Sequence, residues 1–186
     1  DMMHAQGVDM KPEDIPLDDA EVYRMISAGD TDGVFQLESG GMRLFLQNMK
    51  PSCFEDIIAA ISLYRPGPME SIPRYIAGKT DPSTVHYETP LLRPILEVTY
   101  GCMVYQEQVM QIVRDLAGYS LGRSDLMRRA MAKKKRDVMA KEREYFIDGM
   151  TDEAGNVVID GAVRRGVPRA VACLLYTSPS PRDPKT

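Results

Sequence analysis

Leu126-Met-Arg-Arg-Ala-Met-Ala-Lys-Lys-Lys-Arg136 packs positive charge into an acidic chain, and does so with the spacing of a helix. On a helix capped by Ser124, Met127, Met131 and Val138 fall on one face, with Tyr145 one heptad later. Arg129, Lys133 and Arg136 lie at i, i+4 and i+7 on the opposite face, flanked by Arg128 and Lys135. Such a helix anchors in a core while presenting a row of cations. Nine bases between Arg123 and Glu144 oppose four acids, Asp125, Asp137, Glu142 and Glu144, so this segment nets about +5 in a chain of net charge −4. A cationic island of this kind suits polyanions, either a nucleic-acid backbone or the triphosphate of a nucleotide. Its plainer reading is a solvated basic face.

Outward from this island the chain continues to read as helix. Gln106 to Leu116 places Val109, Met110, Ile112, Val113 and Leu116 inward, and Gly118-Tyr-Ser-Leu-Gly122 turns the chain before the Ser124 cap. Ser52-Cys-Phe-Glu55 is a capping-box pattern ahead of a buried helix through Ile57, Ile58, Ala60, Ile61 and Tyr64. Pro66-Gly67-Pro68 breaks that helix, and a short one follows from Ser71-Ile-Pro73 to Gly78. Ser39 caps a helix from Gly40 to Lys50, and Asp18-Asp19 caps another through Val22, Met25 and Ile26. Residues 1–15 read as a helix remnant and a loop. Val34-Phe-Gln-Leu37 reads as a short strand, short extended pieces are expected around Val98 and Val104, and Ala154-Gly-Asn156 with Val157-Val-Ile159 reads as a small hairpin. Pro168 opens a further helix that does not develop. The chain is therefore mainly α, a multi-helix domain with a few short β pieces.

Four blocks carry a family resemblance: Val34-Phe-Gln-Leu-Glu-Ser-Gly-Gly-Met42, Leu63-Tyr-Arg-Pro-Gly-Pro-Met69, Tyr100-Gly-Cys-Met-Val-Tyr-Gln-Glu-Gln-Val-Met-Gln-Ile112, and the basic stretch itself. In this order and at these separations they resemble the C-family replicative polymerases, the family of the bacterial DNA polymerase III alpha subunit. The resemblance runs from about Asp14 to Ala172 and implies the first part of the fingers domain, so that residues 1–172 are assigned to it. It implies that Arg128 and Arg129, then Lys133, contact the phosphates of the incoming deoxynucleoside triphosphate, with Lys134, Lys135 and Arg136 on DNA. Arg65 joins the phosphate group as a candidate: prolines stiffen its loop and hold it toward a ligand, or it is an ordinary helix C-terminal arginine favoured by the dipole. Tyr64 and Tyr105 either stack on a base or sit in the core. Gln106, Glu107 and Gln108 are distinctive as a string, but no physical role for them follows from the sequence.

The parent enzyme implied by the resemblance extends a primer on a template. It works with a sliding clamp, a clamp loader and a proofreading subunit, and uses Mg2+ held by palm aspartates that lie before Asp1. The alternative is a free-standing helical nucleic-acid-binding or adaptor module without catalytic activity. Asp1 rather than Met opens the chain, as expected for an internal piece of a longer protein. Cys53, Cys102 and Cys173 are scattered and odd in number, which predicts reduced thiols in a cytoplasmic protein rather than a disulfide framework or a zinc site. His4 and His86 have no ligand partners at metal-site spacing, and no apolar run approaches the ~18 residues of a membrane span. The final stretch, Cys173-Leu-Leu-Tyr-Thr-Ser-Pro-Ser-Pro-Arg-Asp183 and on to Thr186, resembles a translated sequencing-library adaptor, so residues 173–186 are expected to be non-native and to pack poorly.

Overall fold

The computed structural model describes Gly7, residues 11–133 and residues 136–177. Among the described residues there are nine α-helices and one two-stranded antiparallel sheet, the mainly α class expected. They fall into two compact units, residues 1–61 and 62–186. Most of the remnant expected before Ile15 lies outside the described residues. Its described end is a 3-10 turn, Pro12–Asp14.

In the first unit, Asp19 is the cap of α1 (Ala20–Ala28), its Oδ1 accepting from the N–H groups of Glu21 at 2.8 Å and Val22 at 3.4 Å. The strand expected at Val34–Leu37 is instead a run of turns with Gln36 at φ 66°. Local bonds take the groups a strand would offer. The fully buried Thr31 hydroxyl donates to the Leu37 carbonyl at 2.6 Å, and the Val34 and Leu37 N–H groups donate to Thr31 and Val34 carbonyls. Ser39 caps α2 (Gly40–Met49), which buries Met42, Phe45, Leu46 and Met49, each burial contributing about 1.5–3 kcal/mol.

Helix α3 (Phe54–Leu63) starts one residue later than the Ser52–Glu55 box requires, so Asp56 does the work assigned to Glu55. The Ser52 N–H and hydroxyl donate to its Oδ2 at 2.8 and 3.2 Å. The buried face of α3 is Ala59, Ala60 and Leu63, while Ile58, expected inside, is 42% exposed.

The second unit opens with a 3-10 turn (Pro68–Ser71) and α4 (Ile72–Thr80), with Pro73 in the first turn as expected. The extended piece expected near Val98 is replaced by a 3-10 turn, while near Val104 no strand is formed and Tyr105 has extended backbone at φ −106°, ψ 149°. A 3-10 turn (Pro90–Leu92), α5 (Arg93–Leu96) and a second 3-10 turn (Glu97–Thr99) occupy the region leading to Tyr100. Pro90 and Pro94 preset helical φ at each start, and Leu92, Ile95 and Leu96 then bury a helical rather than an alternating stripe. Helix α6 (Gln106–Ala117) puts Ile112, Val113 and Leu116 into the main core with Leu92, Phe146 and Ile159.

One side chain fixes the start of α6. Gln108 is 3% exposed, and its Oε1 accepts from the N–H groups of Val104 and Tyr105, both at 2.9 Å. Its Nε2 donates to the Ile95 carbonyl at 3.2 Å and to Thr99 Oγ1 at 2.8 Å, and the Thr99 hydroxyl donates on to the Cys102 carbonyl at 2.6 Å. All four hydrogen-bonding positions of one amide are thus used inside the core.

Helix α7 (Leu121–Ala132) and α8 (Arg136–Asp148) follow, then the expected hairpin of β1 (Met150–Thr151) and β2 (Val157–Ile159). The hairpin's exit returns to the helix ends: the Gly161 N–H donates to the Ala117 carbonyl and the Ala162 N–H to that of Phe146. Glycine is required at this approach, because a Cβ on Gly161, at φ 82°, would lie 2.4 Å from the Gly149 nitrogen. Pro168 precedes a real helix, α9 (Arg169–Thr177), contrary to expectation. Poor packing also fails for its end: Cys173, Leu175 and Tyr176 are half-buried against the core, and the Tyr176 hydroxyl donates to the Met139 carbonyl at 2.7 Å. The rest of the 173–186 segment, from Ser178, lies outside the described residues.

Replacing Gln108 by Leu keeps the size of the side chain and removes its four hydrogen bonds, to the Val104 and Tyr105 N–H groups, the Ile95 carbonyl and Thr99 Oγ1. Unfolding of the 186-residue chain in urea should show a loss of about 3 kcal/mol or more, whereas Gln106→Leu should cost under about 1 kcal/mol.

Candidate phosphate-binding site

Helix α7 begins earlier than its sequence suggests. Ser120, not Ser124, is the cap: its Oγ accepts from the Arg123 N–H at 3.3 Å with extended backbone at φ −68°, ψ 158°. Gly118, at φ 77°, ends α6 immediately before. Ser124 is a full turn inside α7, 1% exposed, and its hydroxyl donates back to the Ser120 carbonyl at 3.0 Å.

The helix also ends earlier. Lys133 caps its C-terminus at φ −93°, ψ 3°, and a separate helix starts at Arg136. Arg129 and Arg136 therefore stand on two separate helices rather than on the single helix expected. The cause is in the pattern: Met127, Ala130 and Met131 line the inner face of α7, and the next inward positions would be Lys134 and Lys135. Continuing the helix would bury lysine charge, which is far more costly than a break. Helix α8 restarts the apolar register on Met139, Phe146 and Ile147, leaving Val138 exposed and Tyr145 half-buried. Lys134 and Lys135 lie outside the described residues, as does the side chain of Arg136.

Asp125 gathers the two arginines. Its Oδ1 accepts from Arg128 Nε at 2.9 Å and Nη2 at 2.6 Å, while its Oδ2 pairs with Arg129 Nε at 2.7 Å. These are the i,i+3 and i,i+4 neighbours that a helix brings onto one face. Arg128 is further steadied from α6, where Gln106 Oε1 accepts from its Nη1 at 3.4 Å. The Arg128 hydrogen bonds, foremost, and the Arg129 charge hold the Asp125 carboxyl below the usual carboxylate range, so it stays ionised. Arg128 is the held member of the pair at 30% side-chain exposure, and Arg129 the open one at 63%.

A second cluster fastens α8 to α7 across the basic turn. Arg123 pairs with Glu142 Oε1 at 2.9 Å, and the Tyr119 hydroxyl donates to Glu142 Oε2 at 2.9 Å. The Arg123 guanidinium also lies 5.1 Å from the Tyr145 ring centre and 5.9 Å from that of Tyr119, within cation–π range. Burial, and then the Glu142 charge, pushes the Tyr119 phenol up, so it remains a neutral donor.

The other candidates are placed less closely. Lys133 is exposed at the end of α7. Arg65 is exposed in the turn after α3, its backbone N–H donating to the Leu63 carbonyl at 2.8 Å, and no described hydrogen bond or ion pair joins its side chain to Arg128 or Arg129. Tyr64 and Tyr105 are half-buried. Asp125, Arg123 and Glu142 were not singled out from sequence as site residues, and Gln106 stood out there only as part of a string without a role. An acid three and four residues before an Arg-Arg pair is a usable signal for Asp125, whereas Gln106 needs the fold to bring α6 beside α7. Among the described residues no group of three or more His, Cys, Asp or Glu is placed to hold a metal ion, and no helix is long and apolar enough to cross a membrane.

The sequence profile of the bacterial DNA polymerase III alpha subunit finger domain matches residues 1–154, which include every element of this site. The chain is 54% identical over 143 residues to the DNA polymerase III subunit alpha of Staphylococcus aureus strain Mu50, a match covering 77% of this chain and 13% of that protein. It is 51% identical, with the same coverage, to the DNA polymerase III subunit alpha of Staphylococcus epidermidis strain ATCC 12228. The chain thus spans a small part of the length of these relatives. It belongs to the family of bacterial DNA polymerase III alpha subunit finger domains.

Proposed function

We propose that this chain is the finger segment of a DNA-directed DNA polymerase that replicates DNA, and that α7 holds the triphosphate of the incoming deoxynucleotide. The observation that carries this reading is the arginine pair of α7, oriented by Asp125 and Gln106 and open at Arg129. Guanidinium groups match phosphate oxygens in plane and can donate two parallel bonds. Lys133 adds a mobile charge at the end of the same helix, and Arg65 remains a further candidate on the triphosphate. Lys134, Lys135 and Arg136 are assigned to the DNA backbone, where point charges give sequence-independent contacts.

In the parent polymerase two Mg2+ ions, on carboxylates outside this segment, supply activation of the primer hydroxyl and stabilisation of the leaving pyrophosphate. The finger segment contributes binding and orientation only. The sliding clamp, clamp loader and proofreading subunit are proposed partners of the parent. The free-standing adaptor reading finds no support in a chain whose match covers 13% of much longer relatives. We also propose that 173–186 is a non-native extension of the finger segment. The half-burial of Cys173, Leu175 and Tyr176 is compatible with this, since any apolar string continuing an amphipathic helix buries surface.

Two outcomes follow. In the full-length enzyme, Arg129→Ala should lower kcat/KM for nucleotide by roughly ten- to a hundredfold, while Lys141→Ala and Arg143→Ala stay within about fivefold. Equal small effects at all three positions, in steady-state kinetics with varied nucleotide, would reduce the basic island to a solvated surface. The 186-residue chain alone should not extend a primed template, and extension above background would place catalysis wrongly.

A further inference from the structure

Resting on the reading of α7 as the triphosphate site, we propose that Asp125 is its positioning residue, dividing the arginine pair into one held and one donating member. The division follows from which guanidinium edges are occupied. Arg128 commits Nε and Nη2 to Asp125 Oδ1 and Nη1 to Gln106, so each of its three nitrogens has a partner within the protein and three of its five N–H donors are used. Arg129 commits Nε to Asp125 Oδ2, and among the described residues its Nη1 and Nη2 have no hydrogen-bond partner. The edge left open on Arg129 is therefore the two-nitrogen end of the fork, which meets two phosphate oxygens side by side.

An isolated surface ion pair would deserve none of this weight. Here one carboxylate uses both oxygens on two neighbouring guanidinium groups, at 29% side-chain exposure, and a residue of another helix steadies the first arginine. The anion has two opposed effects on a nucleotide. Its charge repels phosphate and weakens ground-state attraction, while its geometry fixes where the Arg129 donors point. Removing the charge without the shape should separate the two. A residue with a merely structural role would not produce opposite changes in attraction and turnover.

In the full-length polymerase, Asp125→Asn should lower kcat for nucleotide incorporation about tenfold while KM is unchanged or falls. Inorganic pyrophosphate should inhibit the variant more strongly than the native enzyme. Native-like kcat, or a raised KM with kcat unchanged, overturns the proposal. Should that variant not fold, Asp125→Glu keeps the charge and lengthens the arm. It should reduce kcat at least about threefold with KM within about twofold, and an unchanged kcat again overturns the assignment. Arg129→Ala separates the two levels: if it is silent, the triphosphate reading fails and this proposal with it. If Arg129→Ala is impaired and Asp125→Asn is native-like, only the positioning role is lost.

Discussion

Two backbone N–H groups, a backbone carbonyl and a threonine hydroxyl between residues 95 and 105 all bond to one buried side chain, the amide of Gln108. The chain there reverses from α5 through a 3-10 turn into α6, too tightly for regular helix bonds to satisfy its polar groups. A single amide, donating twice and accepting twice, replaces that missing secondary structure. The consequence reaches the site: Gln106, two residues earlier in the first turn of α6, is thereby set beside α7, where it accepts from Arg128. The Tyr-Gln-Glu-Gln string thus serves two purposes, one glutamine for the fold and one for the arginine.

The second constraint is the cost of burying lysine. An unbroken basic helix would turn Lys134 or Lys135 toward the core shared by α6, α7 and α8, so the chain interrupts the helix instead. The helical hydrogen bonds that a break forgoes are each of modest net value. The break is bridged by Arg123, Glu142, Tyr119 and Tyr145, which tie α8 to α7 by an ion pair, a hydrogen bond and two ring contacts. Arg128 and Arg129 accordingly sit on a helix whose N-terminal turn is secured twice, by the Ser120 cap and by Arg123 of this cluster.

Much of this was legible in the sequence where local chemistry decides the outcome. Caps at Asp19 and Ser39, the proline-started α4 and the hairpin at Asn156 depend on residues within a turn of each other, and they formed as read. The failures are of two kinds, local alternatives that compete within a turn and dependence on distant partners. Val34–Leu37 has strand-like residues but found local turn bonds. Ser124 looked like a cap until Ser120, one turn earlier, took the role. The charge island was visible as composition, yet its division into α7 and α8 depended on which face the core covers. At the site, the arginine pair could be named from sequence, while Gln106 required the packing of α6 and α7.

The central claim is that Arg129 offers its free guanidinium end to nucleotide phosphate while Asp125 holds its other side. A structure of the full-length polymerase with primer, template and incoming deoxynucleotide measures this directly. The account predicts Arg129 Nη1 or Nη2 at about 2.7–3.2 Å from a phosphate oxygen, with Asp125 still bonded to Arg128 and to Arg129 Nε. A triphosphate held entirely by other residues, with Arg129 left in solvent, would contradict it.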